Sequence, residues 1–184
     1  MKNEESIMNC QGNRRRHHQI FRLNHKGKSG MCGVAIANTT TRPTSAFNPH
    51  TELNAKTEQA MIDAINDEYY ARAFYTAVIN KFGEVRPFSN IVHAEDRHVS
   101  LWSHLFTRYG LPIPPDNFMG NVQAPDTLQA ACQAGVESEI ANVQMYDCFL
   151  EFVQEPDLRD AFTQLRYVSQ NHHLPAFQRC VGCY

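Results

Sequence analysis

Glu68 is followed seven residues later by Tyr75, and then by Glu95-Asp96-Arg97-His98. The same order returns further on, with Glu139, seven residues later Tyr146, and then Gln170-Asn171-His172-His173. Each half reads Glu-x6-Tyr and then a polar residue three before a histidine, Glu in the first half and Gln in the second. Spacings of three, four and seven hold side chains on one helix face. Carboxylates and imidazoles turned inward from four helices are how a bundle builds a di-metal carboxylate site. The pattern therefore nominates Glu68, Glu95, His98, Glu139 and His173 as metal ligands. Tyr75, Tyr146 and Gln170 are expected behind them, as groups that hydrogen-bond the ligands.

Each nomination has a plainer rival. Glu95 and His98 lie within an apolar stripe, where a lone carboxylate costs several kcal/mol unless it is paired or metal-bound. Glu-x-x-His on a helix lets both side chains reach one ion, and an oxygen and nitrogen set suits iron, manganese or zinc. The rival is a surface glutamate beside a core histidine satisfied by a backbone carbonyl. For Glu68 the rival is a buried salt bridge to Arg72 or Arg97. For the tyrosines it is aromatic packing. Glu137 competes with Glu139, but Glu139 has the seven-residue spacing to Tyr146 and Glu137 is expected at solvent.

The fourth helix is ambiguous in phase. His172 falls nearer the apolar stripe of Leu165 and Val168, whereas His173 has the duplicated spacing and is preferred. Pro175 removes a helical hydrogen bond to the Asn171 carbonyl and kinks the helix, so straight-helix phase is a poor guide here. Gln170 stands where a symmetric site would hold a bridging carboxylate. Its amide is a weaker ligand and carries no charge, so the reading stays open between one ion and two.

The elements that must position these residues are helices. The first is expected from about Thr57 to Phe82, with Met61, Ile65, Glu68, Tyr75, Ile79 and Phe82 on one stripe and Gly83 as terminator. Pro87 opens the second, which carries Ile91, Glu95, His98, Trp102, Leu105 and Tyr109 before Gly110. Leu111 to Pro125 is too proline-rich to continue and reads as a long crossover. Asp126, with Gln129 three residues on, looks like the cap of the third helix, and Pro156 opens the fourth. Helices of about 25 residues span roughly 37 Å, the proportions of a four-helix bundle. The expectation is all-α: two helical hairpins joined by a long crossover, occupying residues 55–184. Residues 1–54 lack a sustained period and are expected to be a disordered, basic and polar segment.

The net charge of −2 at 184 residues calls for no polyanionic partner. It hides an asymmetry, because residues 1–30 hold seven Lys/Arg against two Glu and the remainder is acidic. Arg14-Arg15-Arg16-His17-His18 has no aromatic platform beside it, so nucleic acid is not expected. No apolar run reaches the ~18–20 residues of a membrane span. No membrane association is expected, a cytoplasmic location is the default, and a homo-oligomer is left open. Six cysteines do not resemble a disulfide framework in a helical core of this size. Cys180-Val181-Gly182-Cys183 is a CxxC without a second pair for zinc, so Cys180 is expected to be buried and Cys183 reducible.

At these residues the chain resembles the ferritin-like superfamily. Asp67-Glu68-Tyr69-Tyr70-Ala71-Arg72-Ala73-Phe74-Tyr75 is similar to the first-helix Glu-x-x-Ala-Arg-x-x-Tyr segment of rubrerythrins. Val85-Arg86-Pro87-Phe88, Tyr109-Gly110, Ala134-Gly135-Val136-Glu137-Ser138-Glu139 and His173-Leu174-Pro175-Ala176-Phe177 are similar to an uncharacterised prokaryotic ferritin-like family. The resemblance spans roughly Thr57 to Cys180. It implies a ferritin-like bundle and metal binding, with iron or manganese as cofactor and one or two ions. It implies no established reaction; the expectation of redox activity towards oxygen or peroxide comes from the duplicated inward pattern of carboxylates and histidines. The competing expectation is a non-catalytic, degenerate bundle that serves as a binding or structural module.

Overall fold

The computed structural model describes residues 53–183. Among them there are helices and no strand: α1 (Ala55–Phe82), α2 (Phe88–Arg108), α3 (Leu128–Leu150) and a fourth helix in three consecutive pieces. Those pieces are α4 (Pro156–Val168), a π-helical turn (Ser169–His173) and α5 (Leu174–Val181). The expectation of a disordered segment falls, as far as residue 52, outside the described residues.

Local chemistry sets the boundaries. Asn54 caps α1, its side chain accepting from the backbone N–H groups of Lys56 and Thr57. Gly83, at a φ of 85°, ends α1 in a conformation that suits glycine. The cap of α3 is Thr127 and not the expected Asp126, for Thr127 Oγ1 accepts from the Ala130 N–H at 3.1 Å. Asp126 is instead exposed and paired with Lys81. Pro156 opens α4, where its missing N–H costs nothing.

α1 packs along α2, α3 packs along all three pieces of the fourth helix, and α1 meets α3. Residues 109–127 form the crossover between the pairs. It is tied to α1 by Tyr69 donating to the Pro114 carbonyl, Arg72 to Asp116 and Lys81 to the Pro125 carbonyl. The core divides into two apolar clusters. One holds Met61, Ile65, Trp102, Phe149 and Phe162, and the other Phe74, Val78, Phe88, Cys132 and Phe177. In the chain they flank the buried polar residues of every helix, with Ile65 before Glu68 and Phe74 after it.

Candidate metal centre

Five ionisable side chains meet inside this bundle. Glu68 comes from α1, Glu95 and His98 from α2, Glu139 from α3 and His173 from the π turn. All five are buried, none more than 8% exposed. They form two triads, Glu68–Glu95–His98 and Glu95–Glu139–His173, in each of which one ligand atom per residue lies within 4.8 Å of the others. Glu95 belongs to both. His98 Nδ1 is 2.9 Å from Glu95 Oε2 and 3.1 Å from Glu68 Oε2. His173 Nδ1 is 3.3 Å from Glu95 Oε1 and 3.5 Å from Glu139 Oε1. That nitrogen is buried without an aligned hydrogen bond. The two imidazoles lie face to face, with centroids 5.7 Å apart.

Behind the triads stand the two tyrosines. Tyr75 donates to Glu139 at 2.7 Å and Tyr146 donates to Glu68. Each therefore reaches across to the other helix pair and not to the glutamate on its own helix. Seven residues of helix separate Glu68 from Tyr75 by about 10 Å, beyond a side chain's hydrogen-bond reach. The reciprocal pairing also fixes α1 and α3 as antiparallel. A third cross-helix link joins buried Asn142 Nδ2 to Asp67 at 2.6 Å. Nothing in the sequence pattern pointed to this pair, although each lies within three residues of a nominated glutamate.

Electrostatics order the protons of the free protein. Burial alone would raise the Glu68 carboxyl, but the adjoining His98 charge and hydrogen bond bring it down to about 2. Burial alone would lower His98, but the charges of Glu68 and Glu95 lift it to about 10. Glu95 is raised well above the usual carboxylate range by burial and then by the neighbouring Glu68 charge. Burial, followed by the Glu139 charge for Tyr75 and the Glu68 charge for Tyr146, pushes both phenols well up. Both tyrosines remain hydrogen-bond donors.

Glu137 and His172 are exposed, so α3 and the π turn present Glu139 and His173 inward. Among the described residues, no arginine pairs with these carboxylates. Arg72 pairs with Asp96 and Asp116, Arg166 with Asp147 and Gln170, and Arg97 is exposed. The Gln170 expectation needs correction. Its side chain is exposed and its Oε1 accepts from Arg166 Nη1 at 2.7 Å. The cause is the π turn, in which the Leu174 N–H reaches back to the Ser169 carbonyl. An i→i+5 turn holds one residue more than an α-turn. Ser169 and His173 are buried, and Gln170, Asn171 and His172 between them face out. The inward residue one turn before His173 is thus a hydroxyl.

The cysteines also depart from expectation, because Cys132 on α3 and Cys180 on α5 form a disulfide. A signal was present in the sequence: Cys132 lies seven residues before Glu139 and Cys180 seven after His173.

Each triad could hold a metal ion. Three carboxylates and two imidazoles supply oxygen and nitrogen donors, one carboxylate belongs to both triads, and the His173 Nδ1 makes no aligned hydrogen bond.

No protein-family model matches the chain, and no curated protein matches it. Among solved structures it is similar to a hypothetical protein of Methanococcus jannaschii, at 20% identity and a TM-score of 0.66. The match covers 76% of this chain and 87% of that one. At that identity the likeness shows a shared helical fold.

Proposed function

We propose that this chain is a ferritin-like protein that binds two divalent metal ions, iron or manganese, and uses them in redox chemistry towards oxygen or peroxide. The observation that carries the reading is the membership of Glu95 in both triads. Glu68, Glu95 and His98 would hold one ion, and Glu95, Glu139 and His173 the other. Bound iron or manganese would supply one-electron redox chemistry at the site.

The chain's own residues supply the rest. Glu95 carries one carboxylate oxygen towards each histidine, 2.9 Å from His98 and 3.3 Å from His173. Tyr75 and Tyr146 orient the outer carboxylates, leaving each a second oxygen for an ion. The flanking apolar clusters keep bulk water away and strengthen every charge interaction inside.

One observation favours a second reading. His98 sits within hydrogen-bond distance of both Glu68 and Glu95, so half of the cluster is internally neutralised without metal. A bundle used only as a binding or structural module would keep that network. Anaerobic loading with ferrous iron, desalting, and metal analysis per chain separates the two. The metal reading expects about two ions in the wild type and no more than one in Glu95→Ala. It also expects an absorbance change when the loaded protein meets oxygen or peroxide. Wild-type protein that retains no iron or manganese would sink it, and retained metal that is inert to both oxidants would remove the redox part.

A further inference from the structure

Cys183 is a free, exposed thiol in the turn that follows α5. Three residues before it, Cys180 is buried and already bonded to Cys132. A disulfide with no purpose beyond bracing would be poorly served by a free thiol one turn away, since such a thiol is positioned to exchange with it. We propose that Cys132, Cys180 and Cys183 form a thiol–disulfide exchange site, in which Cys183 is the entry point for a small dithiol reductant to a bond whose sulfurs are buried.

The geometry supports the exchange in three ways. The Cys183 N–H donates to the Cys180 carbonyl at 3.1 Å, so the two cysteines share one helical turn. Side chains three apart on such a turn have Cβ atoms about 5–6 Å apart, and a disulfide needs about 3.5–4.5 Å. The remaining adjustment falls on a turn containing Gly182, the most permissive residue for it. On the other side, Cys132 is fully buried and Cys180 only 5% exposed, so a reductant in solution has no comparable approach to the existing bond.

The steps balance. The Cys183 thiolate attacks Cys180 Sγ, the bond to Cys132 breaks, and the electron pair leaves on Cys132 Sγ. Cys132 takes up a proton to replace the one Cys183 released, and the new bond is Cys180–Cys183. An external dithiol then attacks the exposed Cys183 sulfur, Cys180 leaves as a thiol, and the second reductant thiol closes its own disulfide. Cys183 is left as a thiol. Two electrons and two protons have entered the protein, and one dithiol has been oxidised. The covalent tie between α3 and α5 is lost, one heptad from Glu139 on the first helix and one heptad from His173 on the second. The exchange itself requires no metal.

Disulfide mapping tests this on the full chain. Trypsin leaves Cys132 within Tyr109–Arg159 and places Cys180 and Cys183 together on the peptide that begins at Cys180. Protein equilibrated with dithiothreitol at graded ratios to its oxidised form is acid-quenched, alkylated and digested, and fragmentation distinguishes Cys132 from Cys148. The proposal expects the internally bridged Cys180–Cys183 peptide at intermediate ratios. It expects Cys183→Ser to slow loss of the Cys132–Cys180 link by about tenfold or more. Cys132→Ser should accumulate the Cys180–Cys183 bridge under oxidised glutathione. An unchanged reduction rate in Cys183→Ser, or two free thiols in oxidised Cys132→Ser, would overturn it. The Cys183 substitution lies at an exposed position, so the rate comparison is made on folded protein.

Discussion

Tyr75 on α1 donates its phenolic hydrogen to Glu139 on α3, 64 residues away in sequence, at 2.7 Å. With its counterpart from Tyr146 to Glu68, it locks the two helix pairs together at the level of the buried carboxylates. Removing either hydroxyl leaves a fully buried carboxylate one donor short. Tyr75→Phe and Tyr146→Phe should each lose about 1.5–3 kcal/mol in urea denaturation of the metal-free protein. On the metal reading they should also weaken the ion nearest their own glutamate, by about 10–100-fold. A Tyr75→Phe protein with wild-type stability would show that the hydroxyl does not bear on Glu139.

The proton arrangement gives a signed pH prediction. His98 is raised to about 10, so its stabilising contribution is complete below its unfolded value near 6.5 and is lost as pH rises through 10. Glu68 is lowered to about 2, so its contribution is present above about 4.5 and is lost as pH falls through 2. Glu95 is raised, and its burial becomes more costly as pH climbs above the ordinary carboxylate value. Metal-free protein should therefore melt at progressively lower temperature from about pH 6 to about pH 9. Metal ligation displaces the protons on His98 and Glu95, so affinity should tighten over the same range. Calorimetry in buffers of different ionisation enthalpy should register about one to two protons released per chain loaded. Affinity that is flat with pH would contradict the assigned protonation.

Much of this molecule is legible because its polar site residues interrupt apolar stripes. Glu68 between Ile65 and Tyr75, and Glu95 and His98 between Ile91 and Trp102, announce inward positions without any structure. Gly83, Gly110 and Pro156 mark the helix boundaries through backbone constraints that act locally. What escaped depends on information that one-dimensional spacing lacks. The π turn is a backbone choice that displaces Gln170 while keeping His173 inside. The crossed tyrosines require knowing that α1 and α3 are antiparallel. Asp126 and Thr127 are both good caps, and the structure uses the one whose side chain meets the Ala130 N–H. The Cys132–Cys180 bond escaped because a helical core of this size calls for no disulfide framework, and spacing along the chain does not say which cysteines two packed helices bring together.

At Gly135 the backbone of α3 lies against the Phe177 ring of α5. A Cβ built there would lie 2.5 Å from Cδ1 of Phe177, whose fully buried ring packs 5.2 Å from both Tyr75 and Phe88. Alanine gains about 1 kcal/mol in helix propensity but overpacks the contact by about 1–3 kcal/mol. Gly135→Ala should therefore be destabilising by up to about 2 kcal/mol in chemical denaturation. Phe177→Leu should absorb most of that penalty in a double-mutant cycle. Additive penalties would place the strain elsewhere.

The π turn makes neighbouring residues respond oppositely to the same change. Gln170 is exposed and already bonded to Arg166, so Gln170→Glu introduces a carboxylate beside an existing cation four residues away. It should alter stability by no more than about 0.5 kcal/mol and leave the metal stoichiometry unchanged. Ser169 is 5% exposed and inward, one turn before His173. Ser169→Glu should bury an uncompensated carboxylate and lose one to several kcal/mol, on the order of other such burials, in the metal-free protein. On the metal reading, manganese should restore most of that loss, because a ligand that binds only the folded state shifts the unfolding equilibrium. Thermal melts of both variants with and without manganese decide the matter. If Gln170→Glu, and not Ser169→Glu, responds to the ion, then residues 169–173 wind as an ordinary α-helix in solution, with position 170 turned towards the carboxylates.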